Sequence, residues 1–495
     1  MPVTRPNIRP RTAKQRGAAS LIVVMLLFFV LSLTAAYTNR NLIFEQKTSA
    51  NQSRSTAAFE AAEAGIEWAL AQLNGGIVDT SCTDTAPTDS FQQRYLEIPL
   101  PPAPAASQGM VYARSRAANS LAPRIWPTCV FNGASWDCTC PIAAAADPTA
   151  PVGAGPFPAF RVWLSTPEPT TAAPPPANAA SSPWVAVVPA RPGFAFINSV
   201  GCTRLPAVGE TCLDFIPRGE IGEGISFQRT TLALRSGLSV APAAAVTARL
   251  AVTPAAAPAP PLKVVNTDYR SGGFTVNYSG AFDSARFNAE TIPGTPPDLS
   301  FVADPKLAAL AIVAPASAPP APASLTAGER MFVSIFGMKR ATYRNQPGLR
   351  VCTAPCSATN VNTLLQNNPD RVIWVEGDLT VNANIGTVGT TPVLMIVNGD
   401  TITMDPDKTI YGFVYITGDG SAAPGTSTLA LPNAPTQIQG ALVAEGNLAT
   451  QYAGTPASSS FMTVTYDAAA LDRLRLTYGS WVRLGAAWRD FKVAP

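Results

Sequence analysis

Arg16-Gly17-Ala18-Ala19-Ser20-Leu21 is a join between two kinds of chain, a basic water-soluble leader and an uncharged apolar run that reaches Tyr37. Arg5, Arg9, Arg11, Lys14 and Arg16 all lie on the leader side, and no acidic residue precedes Glu45. Positive charge stays on the cytoplasmic side of a membrane, so this asymmetry places the N-terminus inside and the bulk of the chain across the bilayer. The apolar run meets the roughly 20-residue length needed to span a bilayer as a helix, and we take the span as 18–38. An ordinary secretory signal is cut after a shorter apolar core. Here the candidate cleavage site, between Gly17 and Ala18, precedes that core, so cutting leaves the membrane helix on the mature protein. The alternative is an uncut signal anchor.

The helical pattern does not stop at the membrane. After Tyr37 there is no proline and a single glycine, Gly65, until Asn74-Gly75-Gly76. A lone glycine is tolerated within a helix, and Asn-Gly is a credible stop. Phe59, Ala62, Ile66, Ala69 or Leu70, and Leu73 recur at helical spacing, which predicts one apolar stripe. Glu60, Glu63 and Glu67 form an acidic stripe beside it. A continuous helix over this length is a rod of about 80 Å, part in lipid or a filament core and part packed on a globular domain.

Composition narrows the function. The 495 residues suffice for two or three domains. A net charge of +3 is too small to imply a nucleic-acid partner. The absence of histidine removes Ser-His-Asp and Cys-His nucleophile systems and His-ligated zinc. We expect no enzymatic activity, no cofactor and no metal centre. The eight cysteines Cys82, Cys129, Cys138, Cys140, Cys202, Cys212, Cys352 and Cys356 form an even set, which in a translocated chain favours disulfides. Cys202 with Cys212, and Cys352 with Cys356, can each close a local loop. Cys138 and Cys140 are too close for an easy mutual bond, so each pairs elsewhere, with Cys129 or Cys82 as candidates. A four-cysteine metal site is the rival reading, but its usual two-residue ligand spacing is missing.

From Gly75 to about Ile335 the chain reads as strand and loop. Candidate strands are Phe160–Leu164, Trp184–Val188, Phe227–Leu234 and Phe274–Tyr278. Ala/Pro-rich tracts over Pro141–Pro158, Thr166–Pro183, Ala241–Pro261 and Ala314–Ala323 read as loops or semi-rigid spacers.

Further on, a repeat appears. Trp374-Val375-Glu376-Gly377-Asp378-Leu379, Ile396-Val397-Asn398-Gly399-Asp400-Thr401, Tyr415-Ile416-Thr417-Gly418-Asp419 and Val443-Ala444-Glu445-Gly446-Asn447-Leu448 each run an apolar strand into x-Gly-Asp/Asn. Their spacing suits coils of a solenoid, with Gly412 and Gly440 as second corners. We expect a short right-handed parallel β-helix from Asp370 to about Thr450. The alternative is an ordinary sheet with repeated Gly-Asp hairpin turns. Met404-Asp405-Pro406-Asp407 and Gly418-Asp419-Gly420 raise a calcium question, yet neither has the full EF-hand or nonapeptide spacing.

Gln15-Arg16-Gly17-Ala18-Ala19, the run Leu21-Ile22-Val23-Val24-Met25-Leu26-Leu27, and Ala57-Ala58-Phe59-Glu60-Ala61-Ala62-Glu63-Ala64 together resemble the N-terminal domain of PilX-type minor pilins of the type IV pilus assembly system. The tail Trp488-Arg489-Asp490-Phe491 resembles theirs as well. The resemblance implies an α+β fold, in which a long pilin-like transmembrane and amphipathic helix packs on an antiparallel sheet and a β-rich C-terminal domain follows. The expected divisions are a prepilin leader (1–17), the helix (18–74), a β-rich middle domain (75–335) and the C-terminal domain (336–495). It further implies cleavage after Gly17 by a prepilin peptidase and methylation of the new N-terminus at Ala18. The implied partners are other minor pilins, the major pilin, an inner-membrane assembly platform and a tip adhesin. The implied location is the inner membrane, single-pass, with the bulk periplasmic until assembly brings it to the pilus or cell surface. Major pilins resemble one another in carrying Glu at the fifth mature position, which here is Ile22. A carboxylate in lipid is costly, and its absence removes the group that docks onto a subunit above. That predicts a place at or near the filament tip. Two other functions compete: a tip pseudopilin of type II secretion, and a membrane-anchored β-helix that binds or cleaves carbohydrate through carboxylates such as Asp378, Asp400 and Asp419.

Overall fold

A computed structural model describes residues 17–85, 87, 89–100, 108–113, 126–142, 148–149, 151–153, 155, 157–165, 193–204, 224–256, 259–309, 325–418, 425–454 and 461–485. Gly17–Leu73 is one unbroken helix of 57 residues, about 85 Å long at about 1.5 Å per residue. Hydroxyls within it are satisfied locally: Thr34 and Thr38 donate to the carbonyls of Val30 and Thr34 at 2.7 and 2.8 Å. Thr48 does the same to the Phe44 carbonyl at 2.9 Å, so these hydroxyls need no water. The distal half carries the expected stripe, with one change. Ala58, Ala62, Ile66, Ala69 and Leu73 are fully buried, while Phe59 is half-buried. Glu60, Glu63 and Glu67 face outward.

That stripe lies on an antiparallel sheet ordered Gly479–Arg483, Ile225–Ser236, Phe194–Cys202, Ala159–Ser165, Thr128–Phe131, Trp136–Thr139. Two of the expected strands, Phe160–Leu164 and Phe227–Leu234, are its members. Small residues let helix and sheet approach closely. A Cβ on Gly201 would fall 2.1 Å from the Ala58 carbonyl oxygen and 2.3 Å from the Ala62 nitrogen, so only glycine fits between them. The interface core is Ile66, Leu73, Phe160, Val162, Ile197, Leu232 and Trp481. Burying each large side chain contributes about 1.5–3 kcal/mol. Trp68 packs edge-on against Phe91 at 5.6 Å and lies 5.7 Å from Phe160.

The second half of the molecule is a parallel solenoid. Each repeat unit supplies a strand to each of two sheets. Val372–Glu376, Val393–Asn398, Thr409–Ile416 and Thr436–Ala444 stack in one, preceded by Leu349–Cys352. Leu379–Val381, Thr401–Met404, Thr426–Leu431 and Asn447–Tyr452 stack in the other, preceded by Cys356–Ser357. Every one of these pairings is parallel, which removes the hairpin alternative. Inward side chains form ladders through the stack; one runs Ile373, Met395, Val414, Leu442, Val246, Val276. On the other side of the first sheet Trp374, Ile396, Tyr415 and Val443 lie under the helix Ala327–Phe336, against Phe332 and Phe336. Strands buried on both faces explain why these repeats read as continuous apolar runs rather than alternating ones. At the corner, a Cβ on Gly440 would sit 1.8 Å from the carbonyl oxygen of Gly412, its partner one coil away. The Gly-Asp turns clip coil to coil, since the Asp378 Oδ1 accepts the N–H groups of Asp400 and Thr401 at 2.9 and 2.8 Å.

Three expectations need correction. The tract Ala241–Pro261 is not merely a spacer, because Val246–Ala248 and Val252–Thr253 lie in it and pair in parallel with Thr436–Ala444 and Asn447–Tyr452. Their Ala245, Val246 and Ala248 are fully buried; burial against a solenoid end overrides alanine's weak strand preference. Phe274–Tyr278 contributes Val276–Tyr278 to the same parallel sheet, not to the helix-packed one. A division at 335/336 therefore does not separate two sheets, and the Gly479–Arg483 strand crosses back to pair with Ile225–Ser236. Trp184–Val188 and the tracts Thr166–Pro183 and Ala314–Ala323 lie outside the described residues.

Candidate functional site

The candidate site is the N-terminal helix, and its two ends differ in kind. Gly17 and Ala18, the expected processing pair, are its first two residues. From Leu21 to Leu31 the large side chains are all exposed, Ile22 at 59%. The helix meets the length and hydropathy of a membrane span, and its most apolar window is 0% buried against the protein. An apolar surface this long needs lipid or neighbouring helices to cover it. Exposure continues through Leu42, Ile43 and Phe44, and contact with the globular part begins near Arg54, whose carbonyl oxygen lies against Gly224.

The distal end is gripped by three separate parts of the chain. The last carbonyls of a helix have no partner within it, and here two arginines from the solenoid supply donors. Arg371 is fully buried. Its guanidinium donates to the Leu73 carbonyl, to the Gly75 carbonyl at 3.3 Å and to the Gly479 carbonyl at 3.3 Å. Arg350 donates to the Asn74 carbonyl at 2.7 Å. Asn74 itself joins the helix to the C-terminal strand: its Nδ2 donates to the Leu70 and Trp481 carbonyls at 3.0 and 2.9 Å, and its Oδ1 accepts the Trp481 N–H at 2.8 Å. Trp481 Nε1 then donates to Gln92 Oε1 at 2.9 Å. Desolvation pulls Arg371 down to about 10, with Asp370 opposing and Arg350 adding to the effect. It stays a cation at neutral pH. Burial raises the neighbouring Asp370 carboxyl against the pull of Arg473 and Arg371. Cations at a helix C-terminus also oppose the negative end of its dipole.

Sequence reasoning identified the helix and its stop at Asn74. It missed Arg350, Arg371 and Trp481. The Arg371 contact to Gly75 spans 296 positions, and neither periodicity nor spacing marks it.

The disulfides tie the same neighbourhood together. Cys82 pairs with Cys140, Cys129 with Cys138, and Cys352 with Cys356. The first two resolve the alternatives left open for Cys138 and Cys140. Cys202 is disulfide-bonded; its expected partner Cys212 lies outside the described residues, as do Asp419 and Trp488–Phe491. Asp378 is engaged at a turn by backbone N–H groups. Asp400 stands at the matching turn one coil on, where its carbonyl accepts the Thr428 N–H at 2.7 Å.

Comparison with known proteins bears on this helix above all. The PilX N-terminal family model matches residues 16–67, which takes in the helix up to its last six residues. No curated protein matches the chain. Among solved structures, an ice binding protein from an Antarctic bacterium, Flavobacteriaceae, is 10% identical with a TM-score of 0.23, over 48% of this chain and 50% of that one. The chain thus spans half the length of that structure. The competence-associated pilin ComZ from Thermus thermophilus is 8% identical with a TM-score of 0.16, over 89% of this chain and 97% of that one. Superpositions that loose carry no argument, and the assignment rests on the N-terminal match. Over residues 16–67, then, this chain is similar to the N-terminal segment of PilX-type proteins.

Proposed function

We propose that this protein is a minor pilin that primes type IV pilus assembly and stays at or near the filament tip, in a structural and non-enzymatic role. The observation that carries the reading is the PilX-type helix, exposed and apolar along its first half and lacking a carboxylate at Ile22. Prepilin peptidase cuts between Gly17 and Ala18, and Ala18 is methylated. The helix then waits in the inner membrane, N-terminus cytoplasmic and bulk periplasmic. There every backbone group must be satisfied internally, as in an unbroken helix. An assembly platform extrudes it together with other minor pilins, ahead of the major pilin. The solenoid grips the C-terminal end of the helix through Arg350 and Arg371, opposite the membrane end. That placement supports a tip position, where no subunit has to stack above and where the solenoid can meet an adhesin.

Immunogold labelling of pili from cells carrying the wild-type protein and Ile22→Glu tests the reading. Wild-type label is expected at filament ends. The variant places a carboxylate in the membrane at a cost of about 3 kcal/mol and restores the docking group, so fewer pili or label within shafts is expected. Unchanged piliation with unchanged end-labelling would count against a tip role.

A further inference from the structure

A cavity of about 290 Å³ opens where the solenoid meets the helix Ala468–Thr477, remote from the membrane half of the N-terminal helix. Its lining combines one carboxylate, one guanidinium, neutral hydroxyls and amides, and apolar groups. Leu365, Pro369 and Tyr478 form the apolar part. The loop on its rim is held rigidly: Asn362 Nδ2 donates to the Asn384 carbonyl at 2.6 Å, Asn362 Oδ1 accepts the Gly386 N–H at 3.3 Å, and Asn384 Oδ1 accepts the Thr409 N–H at 2.9 Å. Those two asparagines are spent on structure, and they fix the loop that carries Thr387 and Thr391 into the lining.

The two charged groups are not spent in that way. Arg473 Nε is buried and meets no acceptor among the described residues. Asp370 is buried and accepts one bond from Gln93 Nε2, at 3.3 Å. Both line the cavity, yet they form no ion pair with each other among the described residues. That Nε is closed off from the cavity, so a ligand meets the rest of the guanidinium and the Asp370 carboxylate, which both line it, and gains a charge-assisted hydrogen bond from each. A net anion would be drawn to Arg473 and repelled by Asp370, and a net cation the reverse. A neutral polyol escapes that conflict, because each hydroxyl both accepts, from Arg473, and donates, to Asp370. Thr387, Thr391 and Gln366 extend the same neutral chemistry, and the apolar lining of Leu365, Pro369 and Tyr478 suits the C–H face of a sugar ring.

We propose that this cavity is a binding site for a small neutral saccharide. The test is saturation-transfer difference NMR on the full chain in lauryldimethylamine oxide, a detergent without a sugar headgroup, with D-glucose, D-galactose, N-acetyl-D-glucosamine and glycine as separate probes. At least one saccharide is expected to give signal, with a dissociation constant on the order of 1 mM, weakened at least about tenfold in Arg473→Gln. Thr391→Val changes an exposed rim residue and is expected to weaken the same probe if Arg473→Gln loses its near-ultraviolet dichroism. Three results would overturn the proposal: no saccharide signal, a saccharide signal unchanged in the folded variants, or signal from glycine alone.

Discussion

At the scale of single residues, Arg371 has the largest predicted effect. It reaches the carbonyls of Leu73, Gly75 and Gly479, so one side chain holds together the helix end, the solenoid and the returning C-terminal strand. Arg371→Met removes the charge and strands those carbonyls in a buried site. The expected loss is about 3 kcal/mol of stability, read as a lower urea midpoint. Arg483 contacts Glu67 at 2.6 Å, but both side chains are partly exposed. Arg483→Ala is therefore expected to cost less than about 1 kcal/mol. Equal effects from the two substitutions would mean that the buried grip contributes no more than a surface ion pair.

At the scale of elements, loop length separates the disulfides. Cys82–Cys140 closes 58 positions and Cys352–Cys356 closes 4. Chain entropy then assigns about 4 kcal/mol to the first and about 2 kcal/mol to the second. Paired Cys→Ser substitutions, compared by thermal melts, are expected to follow that order. The long helix was legible in the sequence because no proline interrupts it between Gly17 and Leu73, and because the Phe59–Leu73 stripe carries a helical period beyond the uniformly apolar membrane run. The solenoid's four repeats were legible through their x-Gly-Asp/Asn turns, where glycine opens the corner and Asp378 bonds the next coil. What escaped were elements defined only by distant partners. Val246–Ala248 is three residues inside an alanine-rich tract, and nothing local distinguishes it from a spacer until Leu442 and Val443 lie beside it. Trp481, near the end of the chain, packs beside Ile66 and Leu73 of its first helix.

At the scale of the whole molecule, hydrogen bonding runs across the chain order. Residues 246–303 complete the solenoid begun at Leu349, and Gly479–Arg483 completes the sheet on the N-terminal helix. A fragment of residues 336–495 would leave open edges at Leu442–Ala444, Asn447–Tyr452 and Met462–Tyr466, which lose their partners from residues 246–265 and invite pairing with another copy. We expect that fragment to aggregate, and one spanning 225–495 to remain more soluble, as judged by size-exclusion chromatography. A monomeric, cooperatively folded 336–495 would mean that the solenoid is independent after all.

The central claim is that a membrane-held pilin helix, cut before its apolar core, carries all of this. It is tested most directly by the N-terminus of the membrane-extracted protein, read by mass spectrometry with and without the host's prepilin peptidase. The predicted result is a chain that begins at methylated Ala18 when the peptidase is present and at the leader when it is absent. A chain that keeps its leader in both strains would contradict the account and leave a simple signal anchor in its place.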